Sequence, residues 1–336
     1  MTTAIHDPRA AARLDWARNA AACPGLTLER ASADAGFRSY WRASQAGGAS
    51  LVVMDSPPAL EDVRPWLRIH ALLDDGGVRV PQVLARDTEH GFLLLEDLGA
   101  DTLLHVIDGG NADVHFDAAI DQLLRIQAIP APGDLPRYDE ALLARELRLF
   151  DEWFLGRHLG LAPDCGDLET LDLVHRILID AALAQPTVLV HRDYMPRNLM
   201  PLEDGVLAVL DFQDAVLGPV AYDPISLFKD AFLSWPLERV DAWLLAYHAR
   251  AAAAGVPVPA SPERFLRDAG LLGIQRHLKV LGIFARLHHR DGKPKYIADA
   301  PRFIRYLDDV LPRYPELAPL ADLLDRRGRR QRPVPS

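Results

Sequence analysis

The chain of 336 residues has few lysines, few cysteines and no long apolar run. Lys229, Lys279, Lys293 and Lys295 are the only lysines, so arginine carries nearly all the positive charge. Cys23 and Cys165 are the only cysteines. They lack CxxC spacing and a nearby histidine cluster, which excludes a zinc ribbon or a disulfide framework and leaves two reduced thiols. No apolar stretch is long enough to span a bilayer, and the opening MTTAIHDPRAAARLDWAR has no signal-peptide core. A formal net charge of −10 argues against a broad basic surface for nucleic acid. The one basic run, Arg326-Arg327-Gly328-Arg329-Arg330, reads as part of a solvated tail. These absences lead to the expectation of a cytoplasmic protein with no nucleic-acid or membrane partner. Its oligomeric state is open, with a monomer favoured.

What is present is ordinary globular composition, 49% hydrophobic and 25% charged, enough for a large core or two lobes. Residues 8–23 have amphipathic helical spacing. Leu26 to Ser44 reads as strand, loop, strand, and Leu51 to Met54 as a third strand stopped by Pro57-Pro58. Glu61 to Leu73 has helical spacing, and Val83-Leu84 and Phe92 to Leu95 flank a hairpin turn at Glu89-His90-Gly91. After Glu96-Asp97-Leu98-Gly99 the pattern turns helical, with candidates at 101–108, 112–129, 139–160, 167–184, 222–233, 236–254, 262–289, 301–312 and 315–326. The expected fold class is therefore α+β. A small antiparallel β-sheet lobe (1–98) precedes a larger, mainly helical lobe (99–336).

The chemistry concentrates in VLVHRDYMPRNLMPLEDGVLAVLDFQD, residues 188–214. One apolar run ends in His191-Arg192-Asp193, and Asn198 follows after four intervening residues. A second apolar run delivers Asp211-Phe212-Gln213. Phosphoryl transfer from ATP needs such a set: one carboxylate to orient and deprotonate a hydroxyl, and an amide and a second carboxylate to hold Mg²⁺ on the phosphates. Asp193 is the candidate base, and Asn198 and Asp211 the candidate metal ligands. His191 and Arg192 are expected to brace the loop. Asp223 in Tyr222-Asp223-Pro224 begins a helix and reads as an N-cap or a further brace.

These motifs resemble the aminoglycoside-phosphotransferase branch of the protein-kinase-like superfamily, in which the expected fold is kinase-like and two-lobed. Further segments are similar to the anomeric amino-sugar kinases within it: ASADAGFRSYWR (31–42), VVMDSPP (52–58), LLLEDLG (93–99), HRDYMPRNLM (191–200), LDFQDAVLGPVAYDPISLFKDAF (210–232) and RHLKVLGIFARLHHRDGKPKYI (276–297). The resemblance implies phosphorylation of N-acetylmuramate and N-acetylglucosamine at the C1 hydroxyl, in peptidoglycan recycling, with ATP and Mg²⁺. The nucleotide is expected on the first lobe, where Gly36, Arg38 and Arg42 would meet phosphates and the backbone of Glu96 and Leu98 the adenine, with a plain hinge as the alternative for that crossover. It makes Arg197 and Gln213 candidate sugar or phosphate contacts, with a salt bridge and a simple turn residue as the respective alternatives. Glu146, Lys279 and Arg286 complete the candidate acceptor-binding set, with a surface ion pair as the alternative for each; Lys279 or Arg286 would suit the lactyl carboxylate.

The main departure lies in the third strand. Protein kinases place a phosphate-clamping lysine there, whereas this chain reads Leu51-Val52-Val53-Met54 and has no lysine before Lys229. The first loop also lacks GxGxxG. Either another cation, Arg38 or Arg42, replaces the lysine, or the chain is a nucleotide-binding pseudokinase. The complete base and metal set favours an enzyme. An aminoglycoside or another small alcohol is the rival acceptor; a polycation would require an acidic pocket in place of a basic one.

Overall fold

Short β-branched and aromatic runs separated by turn residues build the N-terminal sheet. The computed structural model describes residues 7–33, 37–44, 47–130 and 132–328; Gly36 lies outside the described residues. The strands are β1 (Thr27–Ala33), β2 (Ser39–Ser44), β3 (Leu51–Asp55), β4 (Val83–Asp87) and β5 (Phe92–Glu96). They form one antiparallel sheet in the order β1-β2-β3-β5-β4. Tyr40 of β2 stands opposite Met54, and Met54 opposite Leu93. Between β4 and β5 the chain reverses at Gly91, whose φ of +74° disfavours a side chain; an added Cβ would also lie 1.9 Å from the Ser56 carbonyl.

Two helices accompany this sheet. Helix α1 (Ala10–Ala20) sends Ala17 into a cluster with Leu26, Ala43, Val53 and Leu94. It is also tied electrostatically. Asp55, buried at the end of β3, accepts from Arg9 Nε at 2.8 Å and from Arg13 Nη1 at 2.7 Å. Helix α2 (Arg64–Asp75), inserted after β3, buries Trp66, Ile69, His70 and Leu73 at helical spacing.

The chain divides into two compact units, 1–106 with 198–213, and 107–197 with 214–336. The first therefore includes, besides the sheet, helix α3 (Leu103–Val106) and a hairpin of β7 (Leu199–Pro201) and β8 (Leu207–Val209). The hairpin joins this unit through the Val209 N–H, which donates to the Arg79 carbonyl at 2.7 Å.

The second unit is built on helices, with a two-stranded ladder of β6 (Thr187–Val190) and β9 (Val216–Pro219). Its helices are α4 (Ala112–Ala128), α5 (Glu140–Leu149), α6 (Cys165–Leu183), α7 (Tyr222–Phe228), α8 (Leu237–Ala253), α9 (Pro262–His289), α10 (Ala300–Val310) and α11 (Ala318–Gly328). Helix α9, 28 residues long, runs through the middle with Leu272, Ile274, Leu278, Leu281 and Ala285 fully buried. At Gly282 an added Cβ would lie 2.3 Å from the Leu149 carbonyl carbon, so only hydrogen fits where α9 meets the end of α5. There the expected single helix 139–160 changes register: α5 passes into a π-helical segment, Phe150–His158. The α+β class with an antiparallel sheet is the architecture expected from sequence.

Candidate active site

The HRD stretch begins where β6 ends, and Asp223 at the start of α7 holds it by the backbone. The Asp223 carboxylate accepts the His191 N–H at 2.7 Å and the Arg192 N–H at 3.0 Å. Burial without solvent pushes this carboxyl up to about 6, against the lowering influence of His191 and of its two N–H donors. Arg192 is left with a φ of +76°, a conformation that arginine seldom adopts. The Asp193 N–H approaches His191 Nδ1 at 3.3 Å, and Asp193 itself is half-buried. Further along the loop, Tyr194 is fully buried and donates to the Ala119 carbonyl of α4 at 2.7 Å. The Arg197 guanidinium lies 5.7 Å from the centre of the Phe232 ring.

The Arg192 side chain turns toward a buried network. Its Nη2 reaches Glu146 Oε1 at 3.3 Å. Lys279 Nζ approaches the same oxygen at 2.7 Å and the Tyr222 hydroxyl at 3.0 Å. Glu146 Oε2 accepts from the Tyr138 hydroxyl and from Gln275 Nε2. Burial works against the charge on Lys279, but the Tyr222 phenol and the Glu146 carboxylate hold its ammonium above the ordinary range. Glu146 and Lys279, expected as acceptor ligands, are thus engaged with each other, and Glu146 also with Arg192 of the HRD stretch. Arg286, the third, is half-buried on α9, with its Nε lacking a hydrogen-bond partner among the described residues.

In the first unit, Asn198 and Asp211 meet at the open ends of the β7–β8 hairpin. Asn198 Nδ2 stands 3.4 Å from Asp211 Oδ2, and the Leu210 N–H donates to the Asn198 carbonyl at 2.9 Å. Asp211 has a φ of +61°, and its neighbour Phe212 is buried against Trp66 and His70 of α2, with ring centres 5.0 and 6.0 Å away. That packing fixes where the Asp211 carboxylate projects. Gln213 Nε2 donates to Asp211 Oδ1 at 3.0 Å. Both Asn198 and Asp211 offer hard oxygens, the donor type Mg²⁺ takes. Among the described residues no three His, Cys, Asp or Glu side chains gather as a metal cage. A two-residue set fits an ion whose remaining ligands are phosphate oxygens and water.

Met54 occupies the lysine position and is fully buried. The two candidate replacements differ sharply. Arg42 is bound to Asp97, Nε to Oδ2 at 2.7 Å and Nη2 to Oδ1 at 3.2 Å, and also donates to the Gly99 carbonyl at 2.8 Å. Arg38 is 7% exposed and points at the Asp211 carboxylate, with Nη2 3.7 Å from Asp211 Oδ1 and Nε 3.3 Å from Glu61 Oε1. Glu61 precedes α2 and belongs to no motif, so the sequence gives no sign of its pairing with Arg38. Glu96 pairs with Arg79 and accepts the Gln82 N–H, and its own N–H donates to the Gln82 carbonyl; Leu98 is half-buried in the crossover. The Arg79 ion pair holds the Glu96 carboxyl below its usual range.

The chain is 54% identical to the N-acetylmuramate/N-acetylglucosamine kinase of Pseudomonas aeruginosa over 301 residues, 90% of this chain and 88% of that protein. It is 45% identical to the protein of the same name from Neisseria meningitidis, over 88% of this chain and 89% of that protein. Among solved structures, the choline kinase LicA from Streptococcus pneumoniae superposes with a TM-score of 0.62 at 15% identity, covering 89% of this chain and 99% of that one. The ADP-bound aminoglycoside phosphotransferase APH(2'')-Ib superposes with a TM-score of 0.60 at 14% identity, covering 88% and 97%. These structures share the kinase-like fold. The model of the phosphotransferase enzyme family matches residues 27–265, and the chain belongs to that family.

Proposed function

We propose that this phosphotransferase moves the γ-phosphoryl group of ATP to the anomeric C1 hydroxyl of N-acetylmuramate and N-acetylglucosamine, a step in peptidoglycan recycling. The observation that carries the choice of acceptor is the extended identity to relatives named for those two sugars. The sugar O1 attacks the γ-phosphorus, the bond from phosphorus to the β–γ bridging oxygen breaks, and ADP leaves. Asp193 orients the C1 hydroxyl and accepts its proton as the O–P bond forms. Asn198 and Asp211 would hold Mg²⁺, which would supply charge neutralisation on the phosphates. Arg38, aimed at Asp211 and steadied by Glu61, takes the cationic role that Met54 cannot. Arg42 serves the sheet-to-crossover junction through Asp97. The first unit carries the nucleotide contacts, and the second carries the base and the acceptor.

No helix of the described chain is long and apolar enough to cross a membrane. We place the reaction in the cytoplasm, where ATP is supplied. The test is ADP release from Mg-ATP with N-acetylmuramate, N-acetylglucosamine or an aminoglycoside as acceptor. Turnover with the two amino sugars supports the reading; turnover with the aminoglycoside alone refutes it.

A further inference from the structure

Asp193 can act as a base only if its loop presents it in one orientation. The residue before it, Arg192, has left-handed backbone geometry, which is strained for an arginine and persists only where other contacts impose it. Two contacts do so. Asp223 takes the Arg192 backbone N–H, and Glu146 takes the Arg192 side chain. Glu146 comes from α5, 46 residues earlier in the chain, and is only 5% exposed. Its oxygens already face Arg192, Lys279, Tyr138 and Gln275. That arrangement suits an internal anchor better than a sugar ligand. Lys279 in turn touches the hydroxyl of Tyr222, the residue before Asp223. The side-chain anchor and the backbone anchor of Arg192 are therefore linked through one ammonium group.

We propose that Glu146 is a positioning residue for the phosphoryl transfer: by gripping the Arg192 side chain it holds the catalytic loop in the conformation that presents Asp193. This rests on Asp193 being the base. A counter-ion for Lys279 would be the plainer role, and the two roles part company when the lysine is also removed. Removing one partner of a buried pair strands the other charge, whereas replacing both with apolar residues is often neutral for stability.

The experiment compares steady-state kinetics and thermal unfolding of Glu146→Leu, Arg192→Met, their double variant, Glu146→Leu/Lys279→Met and Asp193→Asn, with Mg-ATP and N-acetylmuramate. Glu146→Leu and Arg192→Met should each lower kcat by on the order of 10²-fold, the penalty of a misplaced reacting group, with KM little changed. Their double variant should lose no more than either alone. Glu146→Leu/Lys279→Met should regain thermal stability while kcat stays low. Wild-type kcat in Glu146→Leu, additive losses in Glu146→Leu/Arg192→Met, or kcat restored along with stability by Lys279→Met would each overturn the proposal. A raised KM for the sugar at unchanged kcat would overturn it too, because Glu146 would then be a substrate ligand. Asp193→Asn tells the two failures apart. If it turns over like wild type, the base assignment fails and the proposal falls with it; if it is inactive beside a fully active Glu146→Leu, the proposal alone fails.

Discussion

Replacing Asp223 with asparagine exchanges one oxygen for an amide nitrogen in a side chain with no exposed surface. Its carboxyl titrates at about 6 in the folded chain, against 3.8 for an ordinary aspartate. The folded value lies above the unfolded one, so this group's contribution is most favourable below the unfolded value and is lost as pH rises through about 6. At roughly 1.4 kcal/mol for each unit of pKa, the loss amounts to about 3 kcal/mol in total, about half of it between pH 5 and 7.5. Asparagine does not ionise, so the variant escapes this loss. It carries instead a constant cost of about 1–3 kcal/mol, because the His191 and Arg192 N–H groups bond different oxygens of Asp223 and one of them would face the amide nitrogen of asparagine. Urea denaturation of both proteins across that pH range isolates the term, since Asp230, which burial also pushes up to about 6, is common to both. The stability of wild type minus variant should fall by about 1.5 kcal/mol from pH 5 to pH 7.5. Parallel curves would refute the picture of a buried carboxyl that takes up a proton on folding. The variant should also lose at least about tenfold in kcat, because Arg192 loses half of its hold.

Other outcomes follow from the same geometry. Arg38→Met removes the cation beside Asp211 and should cost on the order of 10²-fold in kcat/KM for ATP, whereas Arg42→Met should act mainly on thermal stability; steady-state kinetics and a melting curve on both variants check the contrast. Gly282→Ala forces a methyl group against the Leu149 backbone 2.3 Å away and should destabilise the chain by about 1–3 kcal/mol in urea titration.

Much of the fold could be read locally. Alternating apolar runs bounded by Gly47-Gly48, Pro57-Pro58 and Gly91 gave the five strands of the sheet within a few residues, because strands and turns are encoded in short windows. The HRD and Asp-Phe-Gln motifs were legible for the same reason. What escaped depends on residues far apart in sequence. The π-helical segment at 150–158 arises where α5 meets Gly282 of α9, and a periodicity read over 139–160 alone cannot register that crowding. Helix α7 ends at Phe228, short of the expected 233, because Asp230 turns its carboxylate onto the N–H groups of Phe232 and Leu233. The engagement of Glu146 with Arg192 and Lys279, and of Asp55 with Arg9 and Arg13, joins charges whose sequence positions give no hint of proximity. Composition alone could not separate Arg38 from Arg42. Their surroundings do, since one faces Asp211 and the other is fastened to Asp97.

Transfer to C1 and the role of Asp193 as base can be tested together. The direct measurement is the phosphorus NMR spectrum of the product formed from Mg-ATP and N-acetylmuramate, recorded for the wild-type chain and for Asp193→Asn. A sugar 1-phosphate is expected from the wild type and none from the variant. Phosphate on any other hydroxyl, or the same product formed at the same rate by Asp193→Asn, would contradict it.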